Sequence, residues 1–179
     1  MFLISSIVPV KSFYISQNII TIISTHSFLL FICNFLQKQS YLQFKILTSI
    51  SGLDYLNRTH RYEVLYDLLS LQYNIRLKLK LYSLIDLITF PSITALYPCA
   101  NWWEREIWDL FGLFFANNTD LRRILTDYGF EGFPLRKDFP LSGYLEISYN
   151  SLKKTCTYTA LELATINKNT NIIKISYNS

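Results

Sequence analysis

Twelve of the thirty charged residues of this 179-residue chain fall between Glu104 and Asp138. They are Glu104, Arg105, Glu106, Asp109, Asp120, Arg122, Arg123, Asp127, Glu131, Arg136, Lys137 and Asp138. Trp102, Trp103, Trp108, Phe111, Phe114, Phe115, Tyr128, Phe130, Phe133 and Phe139 are interleaved with them, and Gly112, Gly129, Gly132, Pro134, Pro140 and Gly143 interrupt regular structure. Carboxylates, cations and aromatic rings at this density could serve acid–base, metal or interface chemistry. Glu104 and Glu106 are two positions apart, so a helix points them to different faces, which argues against paired-carboxylate acid–base work. Asp109, Asp120, Asp127 and Asp138 could gather round Mg²⁺, but each has Arg or Lys nearby in sequence, and mutual pairing is the commoner outcome. Neither of the two histidines sits in a triad setting, Ser142-Gly143 is a lone dipeptide, and no Gly-rich phosphate loop is present. Two structural readings remain open. One is an extended, ordered loop over 114–144, pinned by aromatics and Arg–carboxylate forks. The other is a docking surface, because Trp, Phe and Arg are the types that anchor interfaces.

The elements that must position this stretch are legible as hydrophobic periodicities. Asn101 opens a helix as N-cap, with Glu104 at the capping-box position and Gly112 as its end. Trp103, Ile107, Leu110 and Phe111 form its apolar stripe, and Arg105 and Asp109 stand one turn apart and can pair. Upstream, Tyr62, Val64, Tyr66 and Leu68 alternate with Arg61, Glu63 and Asp67. Ile75, Leu77, Leu79 and Leu81 alternate with Arg76, Lys78 and Lys80. Period-2 alternation on neighbouring segments predicts an antiparallel hairpin turning near Tyr73-Asn74, with one buried and one wet face. A further strand is expected over 41–50, with Leu42, Phe44, Ile46 and Thr48 on one face and an end at Ser51-Gly52. One or two short strands over 13–23 precede a helix to about Lys38, capped by Ser24, Thr25 or Ser27, with Leu29, Ile32, Cys33 and Leu36 along one side. Pro91 and Pro98 argue against a long helix over 85–100. A ragged edge strand is expected over 170–179.

Composition bounds the function from outside. Half of the residues are hydrophobic and only 17% charged, against roughly 25% in an average soluble domain; wholesale disorder is excluded. The formal net charge of +4 is unevenly placed. Residues 1–40 carry only Lys11 and Lys38, residues 41–149 are nearly neutral, and residues 150–179 hold four lysines against Glu162. A nucleic-acid binder should gather its basic residues on one element or face, and the one dense basic strand, Arg76 to Lys80, is flanked by Asp67 and Asp86; no nucleic acid is expected. Three cysteines at 33, 99 and 156 form no close pair and make neither a disulfide framework nor an iron–sulfur cradle. The uncharged stretch 12–37 has bilayer-spanning length, but Ser, Thr, Asn, Gln and His residues interrupt it throughout, so a strand and a core-facing helix are expected and no membrane span. No cationic signal-peptide start or Arg-rich presequence is seen. The excess of Ile, at 21 against 3 Val, with 12 Asn, fits an AT-rich, organelle-like coding bias.

Asn101-Trp-Trp-Glu-Arg-Glu-Ile-Trp-Asp-Leu-Phe-Gly112, Asp120-Leu-Arg-Arg-Ile-Leu125 and Pro134-Leu-Arg-Lys-Asp-Phe-Pro140 resemble the 30 kDa subunit family of respiratory complex I, the NADH dehydrogenase of the respiratory chain. Thr126-Asp-Tyr-Gly-Phe-Glu-Gly132 and Phe139-Pro-Leu-Ser-Gly-Tyr144 are similar to its mitochondrially encoded branch. The likeness covers roughly residues 41–149. It implies an α/β domain of α+β type: a small, mostly antiparallel sheet packed with helices, a long ordered loop, and a divergent extension. The domain limits are then 1–149 and 150–179. It also implies a non-catalytic, hetero-oligomeric structural or assembly subunit in the matrix-side peripheral arm at the mitochondrial inner membrane, set against the 49 kDa subunit of the quinone module and other arm subunits. No flavin, cluster or quinone would be held by this chain; FMN, iron–sulfur clusters and ubiquinone belong to other subunits of the proton-translocating NADH:ubiquinone oxidoreductase. Glu104, Arg105, Glu106, Asp109, Asp120, Arg122, Arg123, Arg136, Lys137 and Asp138 become partner-docking or structural signature residues, with no catalytic, cofactor or metal ligand among them. The alternatives are the equivalent subunit of a related membrane-bound hydrogenase or dehydrogenase, or a soluble α/β interaction domain. The chain departs from the family pattern at Asn118-Thr119, where His-Pro is usual, at Phe133 in place of His, and at Ile147-Ser148 in place of Val-Arg. The customary aromatic tail beyond Tyr149 is missing.

Overall fold

The computed structural model describes residues 10–16, 19–82 and 89–162. The strand expected over 170–179, and residues 85–88 of the proline-containing segment, lie outside them. The chain divides into two compact units, Met1–Glu131 and Gly132–Ser179. The fold is α+β, with a mostly antiparallel sheet.

In the first unit β1 (Ser12–Ser16), β2 (Ile19–Thr25), β3 (Ile46–Asp54), β4 (Tyr62–Ser70) and β5 (Ile75–Tyr82) form one sheet in the order β1-β2-β5-β4-β3. Only the β2–β5 pairing is parallel. The β4–β5 hairpin follows the sequence pattern: Val64, Tyr66 and Leu68 lie opposite Leu81, Leu79 and Leu77, and all six are buried. Each such side chain contributes about 1.5–3 kcal/mol of transfer free energy. Asn74 at the turn takes a positive φ of 50°, a conformation asparagine tolerates better than most residues.

The helix α1 (Leu29–Lys38) buries Leu29, Ile32, Cys33 and Leu36 against the inner sheet face. The expected capping is corrected. Strand β2 runs through Thr25, a 3₁₀ turn occupies His26–Phe28, and Phe28 stands at the N-cap position of α1 with no side-chain hydrogen bond. The first strand expectation for 41–50 is also corrected. Residues 41–45 form a turn, and β3 begins at Ile46 and continues past Gly52 to Asp54. The strand leaves that turn with Ile46 outward and Leu47 buried, and a bulge between Leu47 and Ser49 then shifts its register so that Ile50 is buried in place of Ser49. A bulge adds one residue to one strand and inverts the alternation beyond it.

Two short parallel strands, β6 (Thr89–Pro91) and β7 (Phe114–Ala116), flank the second helix, α2 (Ala100–Phe111). The arrangement is a miniature βαβ unit, the connection that parallel pairing requires. Helix α2 packs on β3, where Gly52 admits the Phe111 ring: a Cβ on Gly52 would lie 2.9 Å from Phe111 Cδ2. Gly112 ends the helix in the left-handed conformation (φ 72°, ψ 28°), donating its N–H to the Trp108 carbonyl, as a glycine C-cap does.

The second unit contains the antiparallel hairpin β8 (Leu145–Asn150) and β9 (Thr155–Ala160). The expected domain limit at 149/150 falls at the end of β8. Leu145, Ile147 and Tyr149 pair with Ala160, Tyr158 and Cys156, while Glu146, Ser148 and Asn150 pair with Thr159, Thr157 and Thr155. One hairpin face is therefore apolar and the other polar. Asn150 Oδ1 accepts from the N–H groups of Leu152 and Lys153 and closes the turn.

Candidate functional site

Helix α2 starts earlier than its capping signature predicts. Ala100 N–H donates to the Tyr97 carbonyl and Asn101 N–H to that of Pro98, and Cys99 stands at the N-cap with helical φ and ψ and no side-chain hydrogen bond. Asn101 is thus inside the helix, and Glu104 is freed from the capping role assigned to it. Its side chain is fully buried. Oε2 accepts from Ser92 Oγ at 2.7 Å and from Asn118 Nδ2 at 2.7 Å, and Oε1 accepts from the Ile93 N–H at 2.9 Å. Burial pushes its carboxyl above the ordinary value, and the three donors pull back without cancelling that shift. Asn118 also accepts the Asp120 N–H at 2.9 Å through Oδ1. One amide therefore ties α2 to the loop that follows β7.

Asp109, on the last turn of the same helix, is fully buried as well. Its Oδ2 accepts from the backbone N–H groups of Ile124 (3.2 Å), Leu125 (2.8 Å) and Thr126 (2.9 Å). Its Oδ1 accepts from Thr126 Oγ1 at 2.6 Å and from Arg123 Nη1 at 2.9 Å. Burial alone would raise this carboxyl; the Thr126 hydroxyl and the N–H groups of Thr126, Leu125 and Ile124 outweigh it and hold the pKa at about 2. The helical Arg105–Asp109 pair expected from spacing is replaced by this tertiary one. Arg105 instead donates from Nε to the Arg122 carbonyl at 3.1 Å, and its guanidinium lies 5.1 Å from the centre of the Trp102 ring. Arg123 is also stacked near Trp108 and Phe130, a cation–π arrangement suited to a guanidinium.

Of the ten residues nominated from sequence, Glu104, Arg105, Asp109, Asp120, Arg122 and Arg123 thus converge where α2 meets the loop over 118–126. The exposed pair Arg122–Asp120 closes at 3.1 Å on the outside of that loop. Glu106 is half-buried on α2 and makes no ion pair among the described residues. Arg136, Lys137 and Asp138 belong to the second unit, where the Arg136 guanidinium sits 4.4 Å from the Phe133 ring centre and Phe139 meets Tyr144 edge-on. Sequence reasoning did not nominate Ser92, Asn118 and Thr126 as site residues; their signal is only the hydroxyl or amide that a buried carboxylate must find. Trp102 and Tyr128, two of the aromatics interleaved with the charges, are exposed, as is Leu125 at the end of the Asp120–Leu125 motif.

Among the described residues no group of three or more His, Cys, Asp or Glu is arranged to hold a metal ion. Cys33 lies in the core with its thiol pushed up to about 12 by burial, while Cys99 and Cys156 are exposed. A thiol so raised is an inert packing group rather than a ligand.

Residues 23–145 match the family model described as respiratory-chain NADH dehydrogenase, 30 Kd subunit. The chain is 50% identical over 129 residues to NADH dehydrogenase (ubiquinone) iron–sulfur protein 3 of Beta trigyna, covering 72% of this chain and 67% of that protein. It is 48% identical over 149 residues to NADH-ubiquinone oxidoreductase subunit 9 of Acanthamoeba castellanii, covering 83% and 74%. Among solved structures, the trypsin-resistant fragment of Nqo5 superposes with a TM-score of 0.52 at 28% identity, over 61% of this chain and 89% of that one. A chain of the membrane-bound sulfane sulfur reductase, an archaeal respiratory membrane complex, superposes with a TM-score of 0.67 over 78% and 82%, but at 19% identity it shares the fold alone. The chain has three cysteines, one of them in the core, one fewer than the four thiolates that hold an ordinary iron–sulfur cluster. With the match running through the sheet, α2 and the charged loop, the chain belongs to the 30 kDa subunit family of respiratory-chain NADH dehydrogenase.

Proposed function

We propose that this chain is a structural subunit, without an active site or cofactor of its own, in the peripheral quinone-module arm of a mitochondrial, proton-translocating NADH:ubiquinone oxidoreductase. In this reading it sits on the matrix side against the 49 kDa subunit and other arm subunits, and FMN, iron–sulfur clusters and ubiquinone are held elsewhere in the complex. It is encoded in the mitochondrion. One observation carries the non-catalytic reading: the two buried carboxylates of α2 spend their acceptor capacity on Ser92, Ile93, Asn118 and the 123–126 backbone and side chains. A carboxylate so engaged organises a loop and is not available to a substrate proton. The outward side of the same construction offers Trp102, Leu125, Tyr128 and Arg122, residue types suited to an interface. No helix among the described residues is long and apolar enough to cross a membrane, which suits a peripheral position.

The equivalent place in a related membrane-bound reductase is the second reading, favoured only by the shared fold with the archaeal complex. Blue-native electrophoresis of source membranes, with in-gel NADH oxidation and mass spectrometry of the bands, separates the two. The chain is expected in the NADH-oxidising band of complex I size. Its migration away from that activity contradicts the first reading.

A further inference from the structure

At the corner where α1 runs into β3, a cavity of about 500 Å³ is lined by Gln37, Lys38, Ser40, Gln43 and Lys45. Its walls are fixed from several directions. Gln37 Nε2 donates to the Leu96 carbonyl and the Tyr73 hydroxyl to that of Ser40. Phe44, buried beneath, donates its N–H to the Leu36 carbonyl and accepts the Tyr97 hydroxyl at 2.6 Å. Gln43 takes a positive φ of 45° between these anchors. The cavity is therefore built by the fold.

Its charge is one-sided. Lys38 and Lys45 are exposed and make no ion pair among the described residues. No Asp or Glu occurs in the chain before Asp54, so neither the helix nor the turn that forms the cavity can supply a counter-charge. Tyr41, next to Ser40 in the chain, is 75% exposed, and Tyr73, whose hydroxyl donates to the Ser40 carbonyl, is 40% exposed. Two unpaired ammonium groups beside exposed aromatic side chains match a protein interface with a complementary negative partner. A nucleic-acid track would need a longer basic stripe.

We propose that this corner is a docking site for an acidic segment of a partner subunit, with a carboxylate side chain seated in the cavity between Lys38 and Lys45 and its neighbours against Tyr41 and Tyr73. The inference rests on the chain being a subunit of the respiratory complex and adds the location and chemistry of one contact. The test uses the intact complex, treated with a water-soluble carbodiimide that joins ammonium groups to touching carboxylates, then digested and analysed by mass spectrometry. Lys38 or Lys45 is expected in an amide link to an Asp or Glu of another subunit. Both lysines are also expected to react with an acetylating ester about tenfold more slowly in the complex than in the dissociated chain, the protection given by a site about nine-tenths occupied. Equal acetylation rates in the two states overturn the proposal, as do links confined to carboxylates of this chain. Protection that vanishes when phospholipid is stripped by detergent also overturns it, in favour of a lipid headgroup. Absence of this chain's peptides from the complex contradicts the proposed function itself, whereas their presence with open lysines contradicts only the docking site.

Discussion

The two ends of α2 bury the same functional group and treat it oppositely. Glu104, toward the start, meets only neutral donors, and burial leaves its carboxyl easier to protonate than usual. Asp109, toward the end, meets a guanidinium, a hydroxyl and three backbone N–H groups, and its carboxyl is held at about 2. Burial is therefore a poor guide to charge; the number and kind of donors decide. The difference also assigns structural roles. Glu104 joins the strand exit at Ser92 and Ile93 to Asn118, while Asp109 organises the entire 123–126 turn as a single acceptor. Neither arrangement leaves a group poised on open space.

The comparison makes ranked predictions. Asp109→Ala has the largest effect: it removes the carboxylate shared by Arg123, the Thr126 hydroxyl and three N–H groups, and urea unfolding of the full chain at neutral pH should show a loss of about 3–5 kcal/mol, the usual cost of breaking a buried pair. Because the folded pKa of Asp109 lies below the unfolded value of about 3.9, its contribution is present above that value and fades as pH falls toward about 2. The gap between wild type and Asp109→Ala should close over that window. Glu104→Gln should cost less, about 1–2 kcal/mol, since the amide NH₂ must confront at least one donor. Its pH trend has the opposite sign. The folded pKa of Glu104 lies above the unfolded one, so its contribution is complete below about 4.3 and declines as pH rises through the folded value. Raising the pH from the acid side should therefore shift the balance toward Glu104→Gln, and a drift the other way breaks the contrast. Smallest is Arg122→Ala, whose partner is half exposed and whose own side chain is 73% exposed; unfolding should move by no more than about 0.5 kcal/mol.

Much of this fold was legible because it obeys simple periods. The alternation in Tyr62–Ser70 and Ile75–Tyr82 and the stripe Leu29, Ile32, Cys33, Leu36 all reappear as buried faces. What failed did so where local rules met a tertiary competitor. The alternation over 41–50 does not carry into β3 because the turn over 41–45 resets the phase before Ile46, and the bulge near Thr48 resets it again without a mark on hydrophobicity. Asn101 and Glu104 carry a capping-box spelling, but the turn at Tyr97-Pro98 starts the helix first and releases Glu104 to the interior. Arg105 and Asp109 have ideal helical spacing, yet Arg123 arrives from the loop with three N–H groups behind it and displaces the local partner. The β8–β9 hairpin escaped notice because its turn uses Lys154 at a φ of 51° where a glycine is the usual signal. In the site, the charged and aromatic residues were visible as a cluster, but the neutral partners Ser92, Asn118 and Thr126 became apparent only through the carboxylates they satisfy.

The central claim is that the charged strip between α2 and its loop holds structure and partners and performs no chemistry. NADH:ubiquinone turnover per assembled complex, measured for Arg122→Ala against wild type, tests it most directly. The expected result is less assembled complex with unchanged turnover per complex. Full assembly with reduced turnover would place the strip in the reaction and contradict the account.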